Sequence, residues 1–99
     1  MDIEKFINRL IEVIPTVNII CKYEILTFII PKDDRRTSQA ERFKDLVGLR
    51  PRFLGCELDM KNRTFSIYDG RLENIHIKIP KNQLRKLKNL MEYYKLSSI

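Results

Sequence analysis

The chain has 99 residues and a mass of 11.9 kDa; 43% of its residues are hydrophobic, 32% are charged, and the net charge is +6. This length suits one domain and leaves no room for a second core. The content of aliphatic residues excludes a disordered chain, and three Gly with four Pro exclude a collagen-like or linker-like composition. We therefore expect a single globular domain over residues 1–99.

The apolar segments are too short for a membrane span. The longest runs from Ile25 to Ile30 and is interrupted by Thr27, whereas a helix that crosses a bilayer needs about 20 apolar residues. Asp2 and Glu4 stand where a secretory signal would carry basic residues. We therefore expect an intracellular protein that neither spans a membrane nor is secreted.

The first elements in chain order are a helix and a strand. Apolar residues recur at helical spacing over residues 2–14, where Asp2 can cap the first turn and Pro15 ends the helix. Residues 17–30 are rich in β-branched and aromatic side chains and contain no Gly, Pro or turn signal, which predicts one long strand. The alternation changes phase near Lys22 and Glu24, so this strand is either bulged there or apolar on both faces of its second half.

A polar loop and a second helix come next. Residues 31–39 are strongly polar, and residues 39–47 return to helical spacing. Ser38 and Glu41 stand in the relation of a capping box, Gly48 supplies the C-terminal stop, and Pro51 follows. These signals predict a short helix over residues 39–47.

The sequence pattern of the last part of the chain predicts three strands and a helix. The period changes to two from residue 52, with turns at residues 60–62 and at Asp69 and Gly70, so we expect an antiparallel meander. Helical spacing returns over residues 81–95. The predicted order is α-β-α-β-β-β-α, an α+β fold with a four-stranded antiparallel sheet and helices packed on one face. The inner stripe of the last helix is Leu84, Leu87, Met91 and Tyr94.

Charge is distributed unevenly along the chain. Residues 1–49 carry eight basic and eight acidic groups, whereas residues 50–99 carry eleven basic and five acidic groups. Lys81 and Arg85 lie in the N-terminal half of the last helix, where the helix dipole disfavours cations. Basic residues at this end are typical of a helix that binds phosphates, since the backbone amides and the side chains then attract the same anion. The predicted anion-binding or nucleic-acid-binding residues are Lys78, Lys81, Arg85, Lys86, Lys88 and Arg71, and Arg50, Arg52 and Arg63 would extend the patch if their loops fold toward the helix.

Two functions follow from this basic half. No zinc finger, RNA-recognition aromatic pair or helix-turn-helix signal is present, so a complex with DNA or RNA would depend on the backbone and on salt. A Lys-rich chain also displays lysine on its solvated faces, so an adaptor for other proteins with an incidental basic surface is the alternative. The leading prediction is a small binding protein without enzymatic activity.

A metal-dependent nuclease is the second alternative. Asp59, Met60 and Lys61 match the D-x-K half of the PD-(D/E)xK motif, and Asp33 or Asp34 could supply the upstream carboxylate. The chemistry needs two carboxylates that hold a divalent metal ion and a lysine beside the attacked phosphate. Lys61 falls in a predicted turn rather than on the strand that the family uses. The candidates for this activity are Asp34, Asp59 and Lys61.

Other chemistry finds little support in the sequence. Cys21 and Cys56 lie in separate strand-like segments without the close spacing of metal ligands, which favours two reduced thiols over a disulfide. His76 is the only histidine and is expected on the polar face of a strand, where pairing with Cys56 as a nucleophile lacks an activating arrangement. No glycine-rich phosphate loop or nucleophile elbow is present, so we predict no cofactor, metal or small-molecule substrate.

Residues 19–30 are apolar at both odd and even positions, so both faces of the predicted strand are apolar. This pattern has a consequence for assembly. An open sheet leaves an unpaired edge, and a twofold dimer is the commonest way to cover it, so we expect a homodimer.

The overall composition carries one resemblance. The chain has many isoleucines, abundant Lys and Arg, no Trp and a single alanine, Ala40. In this it resembles the small orphan proteins of crenarchaeal filamentous and rod-shaped viruses. The resemblance implies a heat-stable accessory protein inside the host cell. The isoleucines concerned are Ile19, Ile20, Ile25, Ile29, Ile30, Ile75, Ile77 and Ile79.

Overall fold

A computed structural model describes residues 1–34, 54–68 and 75–97. This part of the chain contains two α-helices and five β-strands, and short 3-10 segments occupy Lys32–Asp34 and Lys81–Gln83. The α+β class is therefore confirmed. The elements are α1 (Ile3–Val13), β1 (Asn18–Lys22), β2 (Ile25–Ile29), β3 (Gly55–Asp59), β4 (Thr64–Tyr68), β5 (Ile75–Lys78) and α2 (Leu84–Ser97).

The five strands form one antiparallel sheet in the order β1-β2-β3-β4-β5, so each strand pairs with its neighbours in sequence. The register aligns apolar side chains across the sheet, and both helices cover the face on which these side chains lie. Phe6 of α1 meets Phe65 edge to face at 5.6 Å, and Tyr94 of α2 meets Phe28 at 6.1 Å. One such row is Leu26, Leu58, Phe65 and Ile77.

The prediction of one long strand over residues 17–30 is wrong. The chain reverses at Tyr23 and Glu24, and Lys22 pairs with Ile25 in a two-residue hairpin. Both turn residues have positive φ, 54° at Tyr23 and 66° at Glu24, as a type I′ turn requires. Neither is Gly or Asn, which is why the sequence carries no turn signal. The change of phase near Lys22 therefore marks the turn, and the sheet has five strands instead of four.

We expect Tyr23→Asn to stabilise the protein by about 1 kcal/mol, because the left-handed conformation costs most residues about 1–2 kcal/mol and asparagine less. The free energy of unfolding in urea measures this change. Tyr23→Ala is the matched control, since it also removes the ring but keeps the conformational cost. Equal stability of the Asn and Ala variants would contradict the assignment of strain to this turn.

The two helices begin beside each other. The Asp2 side chain accepts a hydrogen bond from the Lys5 amide at 3.0 Å, which confirms the predicted cap. Gln83, which precedes α2, accepts a hydrogen bond from the Ile3 amide at 2.9 Å and donates one to the Met1 carbonyl at 2.7 Å. A side chain from the far end of the sequence thus satisfies a free amide of the first turn of α1.

Some predicted elements cannot be compared with the structure. The helix over residues 39–47 and the turn at Asp69 and Gly70 lie outside the described residues. The last helix is confirmed with shifted bounds, and Leu87 and Met91 of its inner stripe are buried. No helix in the described ranges is long and apolar enough to cross a membrane.

Candidate anion-binding groove

A groove of about 440 Å³ lies where two turns of the sheet meet the first half of α2. The turn between β1 and β2, the turn between β3 and β4, and the helix each supply part of its wall. This volume is within the range of ligand-binding clefts. The described lining residues are Glu24, Met60, Arg63, Leu84, Arg85 and Lys88.

The two turns are joined by a backbone hydrogen bond. The amide of Met60 donates to the carbonyl of Glu24 at 3.0 Å, which places the β1–β2 turn beside the β3–β4 turn. The carboxylate of Glu24 forms an ion pair with Lys95 of α2. The hydrogen bond to Glu24 raises the pKa of Lys95, because the carboxylate favours the charged ammonium group. One wall of the groove is thus held to the helix by a charge pair.

Arg63 takes its position from the chemistry of its own turn. Asp59 accepts hydrogen bonds from the backbone amide and the side-chain amide of Asn62, both at 2.9 Å. The bonds between Asp59 and Asn62 close a turn through the Asp59 side chain, and Arg63 follows this turn with a φ of 56°. The Arg63 carbonyl accepts a hydrogen bond from the Ile79 amide at 2.9 Å. The guanidinium group therefore extends from a backbone that is fixed by the turn after β3 and by a hydrogen bond to the residue that follows β5.

The rotation of α2 places two further cations in the groove. Leu87 and Met91 are buried against the sheet, which fixes the face that the helix turns inward. Arg85 and Lys88 are three residues apart, so they lie together on the flank that faces the two turns. Both side chains are exposed. Arg63, from the other wall, brings the described lining cations to three.

The charges in the groove are not balanced. Among its described lining residues, three are cationic and Glu24 alone is anionic. Because Glu24 is already paired with Lys95, it compensates little of the charge of the other three. Met60 and Leu84 are half-buried and give the groove an apolar part of its wall. The arrangement suits an anion, and most of all a phosphate or carboxylate that several donors can reach.

The structure groups only some of the predicted basic residues. Arg85 and Lys88 line the groove, and Arg63 joins them because its turn folds toward the helix. Lys81, which precedes α2, and Lys86, which is on α2, are exposed and are not among the lining residues. Lys78 lies on the sheet face opposite the helices, since it is paired with Thr64. Arg71, Arg50 and Arg52 lie outside the described residues.

The structure describes the side chains of two of the three nuclease candidates, Asp59 and Lys61. Both oxygens of Asp59 accept hydrogen bonds from Asn62, and Lys61 is exposed in the turn as predicted. Asp34 ends a 3-10 segment, but its side chain lies outside the described part of the structure. No group of three His, Cys, Asp or Glu side chains in these ranges is arranged to hold a metal ion. The nuclease hypothesis stays a prediction.

A row of polar groups crosses the sheet face opposite the helices. Tyr68 donates a hydrogen bond to Glu57 at 3.1 Å, and a hydrogen bond of 2.7 Å joins Ser66 Oγ to His76 Nδ1. Burial and the bond to Glu57 raise the pKa of Tyr68, because both favour the neutral phenol. These side chains lie side by side because Glu57 pairs with Ser66, and Ser66 pairs with His76, across neighbouring strands. Sequence reasoning missed this row, which only the register of three strands creates.

The two cysteines are separate free thiols. Cys21 lies on β1 and Cys56 on β3, so β2 separates them by two strand spacings of about 4.8 Å, which is too far for a disulfide. Burial raises the pKa of Cys56 well above its usual range. Cys56 pairs with Ile67 on the helix-covered face, whereas His76 pairs with Ser66 on the other face. A nucleophilic pair of Cys56 and His76 is therefore excluded.

Comparison of the chain with protein-family models, curated proteins and solved structures found no match. The interpretation of the groove rests on its geometry and charge, and the resemblance to viral accessory proteins stays a prediction.

Proposed function

We propose that this protein binds the phosphate backbone of nucleic acid through the basic groove. One observation supports this proposal: Arg63 and the pair Arg85 and Lys88 converge on one groove from two separate elements. The carboxylate there, Glu24, is paired with Lys95 and leaves most of the positive charge uncompensated. Convergent cations of this kind attract phosphates, which carry charge at every step of a nucleic-acid chain.

Three convergent cations suit a chain of phosphates more than an isolated carboxylate, which carries a single charge. Arg63 and Arg85 each present a planar fork of donors that can contact two phosphate oxygens at once, and Lys88 adds a point charge. The cations among the described lining residues are expected to contact phosphates rather than base edges, so the backbone supplies the affinity. An acidic protein is the competing partner, because carboxylates could occupy the same positions.

A salt titration tests the proposal. The dissociation constant of a labelled oligothymidylate, measured by fluorescence anisotropy, is expected to rise steeply with salt. Three phosphate contacts on a single strand predict a slope of about −2 in log K against log salt, at about −0.7 per contact. Polyglutamate is the competitor that represents an acidic protein. Absence of binding at low salt, or stronger binding of polyglutamate than of the oligonucleotide, would overturn the proposal.

We also propose that the protein forms a homodimer through β1. This strand lies at one end of the described sheet order, so its outer edge pairs with no described strand. Ile20 on β1 is 49% exposed and Ile29 on the paired strand is 37% exposed, which leaves apolar surface beside that edge. A second copy that pairs edge to edge would satisfy the backbone of β1 and bring its own side chains beside Ile20.

We expect Ile20→Lys to convert a dimer into a monomer, because a lysine on an edge strand opposes edge-to-edge pairing and replaces the apolar surface beside that edge. Light scattering after size exclusion measures the mass. Asn8→Lys is the matched control, because Asn8 is exposed on α1 and the substitution adds the same charge. An apolar position of α1 such as Ile11 would not serve, since Ile11 packs against the core. A wild-type monomer at high concentration would overturn this proposal without affecting the groove.

A further inference from the structure

An exposed aromatic ring stands directly beside the groove. Tyr23 is 81% exposed at the tip of the β1–β2 hairpin, and the next residue, Glu24, lines the groove. A tyrosine gains no burial at this position. It also occupies a left-handed conformation, with a φ of 54°, that a bulky residue rarely adopts. The hairpin thus carries an aromatic ring where asparagine or glycine would fold more easily, which is typical of positions kept for function.

A further cation stands at the same tip. The Lys22 ammonium lies 5.4 Å from the centre of the Tyr23 ring, within the range of a cation–π contact. Lys22 is exposed and belongs to the sheet face opposite the helices, whereas the groove is on the helix side of the turn. Tyr23 therefore directly precedes a residue of the groove, Glu24, and its ring contacts a cation outside the groove, Lys22.

Resting on the function proposed above, we infer that the groove and Tyr23 together bind single-stranded nucleic acid. Phosphates lie in the groove against Arg63, Arg85 and Lys88, one base stacks on the Tyr23 ring, and the next phosphate meets Lys22. Alternating cations and an exposed aromatic ring form the usual surface for single strands, since every base has a face that can stack. A duplex keeps its base faces inside the helix, so Tyr23 would contribute nothing to its binding.

The experiment measures anisotropy for four labelled probes at one low salt concentration. The probes are an oligothymidylate, an oligouridylate, an abasic sugar-phosphate oligomer and a duplex, each of about 16 nucleotides or base pairs, the upper end of the single-strand site sizes of small domains. We expect Tyr23→Ala to weaken oligothymidylate binding about tenfold and to leave the abasic oligomer unchanged. Tyr23→Phe keeps the ring and is the matched control with wild-type affinity.

Tyr23→Asn removes the possibility that lost binding reflects lost folding. This variant is expected to be more stable than the wild type and yet to bind the oligothymidylate as weakly as Tyr23→Ala. The oligouridylate tests RNA, and equal loss on both single strands is expected because stacking does not need a particular sugar.

The outcomes separate this inference from the function on which it depends. Binding of the abasic oligomer as tight as that of the oligothymidylate, with no effect of Tyr23→Ala, would overturn the inference and leave backbone binding intact. Tighter binding of the duplex than of either single strand would do the same. If no probe binds, both proposals are wrong.

Discussion

The double substitution Arg85→Gln and Lys88→Gln is expected to weaken binding to an oligothymidylate by about tenfold or more at low salt. In the proposed complex each side chain would supply a charge-assisted hydrogen bond to a phosphate, and because both positions are exposed, screening by solvent would reduce the contribution of each. The salt dependence is the sharper measurement. Loss of two of the three groove contacts should make the slope of log K against log salt shallower by about 1.4, at about 0.7 per contact.

The matched control removes the same charge elsewhere. Lys86 is exposed on α2 but is not among the residues that line the groove, and Arg9 is exposed on α1. The double substitution Lys86→Gln and Arg9→Gln therefore lowers the net charge equally while leaving the groove as it is. Nearly wild-type affinity is expected. An equal loss in both double variants would show that the protein attracts anions by its overall charge, and the assignment to the groove would then fail.

Gly55→Ala is expected to destabilise the fold by about 3 kcal/mol or more, a large part of the stability of a small domain. A β-carbon at this position would lie 2.0 Å from the carbonyl oxygen of Phe28 and 3.2 Å from the α-carbon of Ile29. Both atoms belong to the backbone of β2, which pairs with β3 through Gly55, so neither can move without breaking the ladder. The midpoint of urea unfolding measures the loss.

Thr27→Ala is the control for this substitution. Thr27 belongs to the same β2–β3 ladder, where it pairs with Glu57, and its change to alanine creates no clash. We expect it to cost less than about 1 kcal/mol, the span of strand propensities. A Gly55→Ala variant as stable as Thr27→Ala would mean that β2 and β3 can separate at this end of the sheet.

Most of the helices and strands were predictable because each depends on a pattern within a few residues. The period of 3.6 located both helices and their inner faces, such as Phe6 and Leu10 in α1 and Leu87 in α2. The period of two located β3, β4 and β5. The hairpin at Tyr23 and Glu24 was missed because its residues are unfavourable for the turn that they form. Its conformation depends on strand pairing and on contacts such as that between Glu24 and Lys95.

The candidate site was also predictable only in part from the sequence. The excess of positive charge in residues 50–99 and the places of Arg85 and Lys88 on one helix flank follow from the sequence. The groove does not, because its walls come from residues that are about 20 or more positions apart along the chain. Arg63 reaches the helix only after the turn at Asp59 and Asn62 is formed and Met60 is bonded to Glu24.

The sequence by itself therefore determined the α+β class, the amphipathic helices and a basic C-terminal half, since local periodicity and charge are properties of the chain. The tertiary structure alone decided that the predicted long strand is a hairpin and that Gln83 completes the first turn of α1. It also decided which cations meet, selecting Arg63, Arg85 and Lys88 and leaving Lys78 on the opposite face. Such contacts join distant segments whose approach is set by strand register and core packing, which no local pattern encodes.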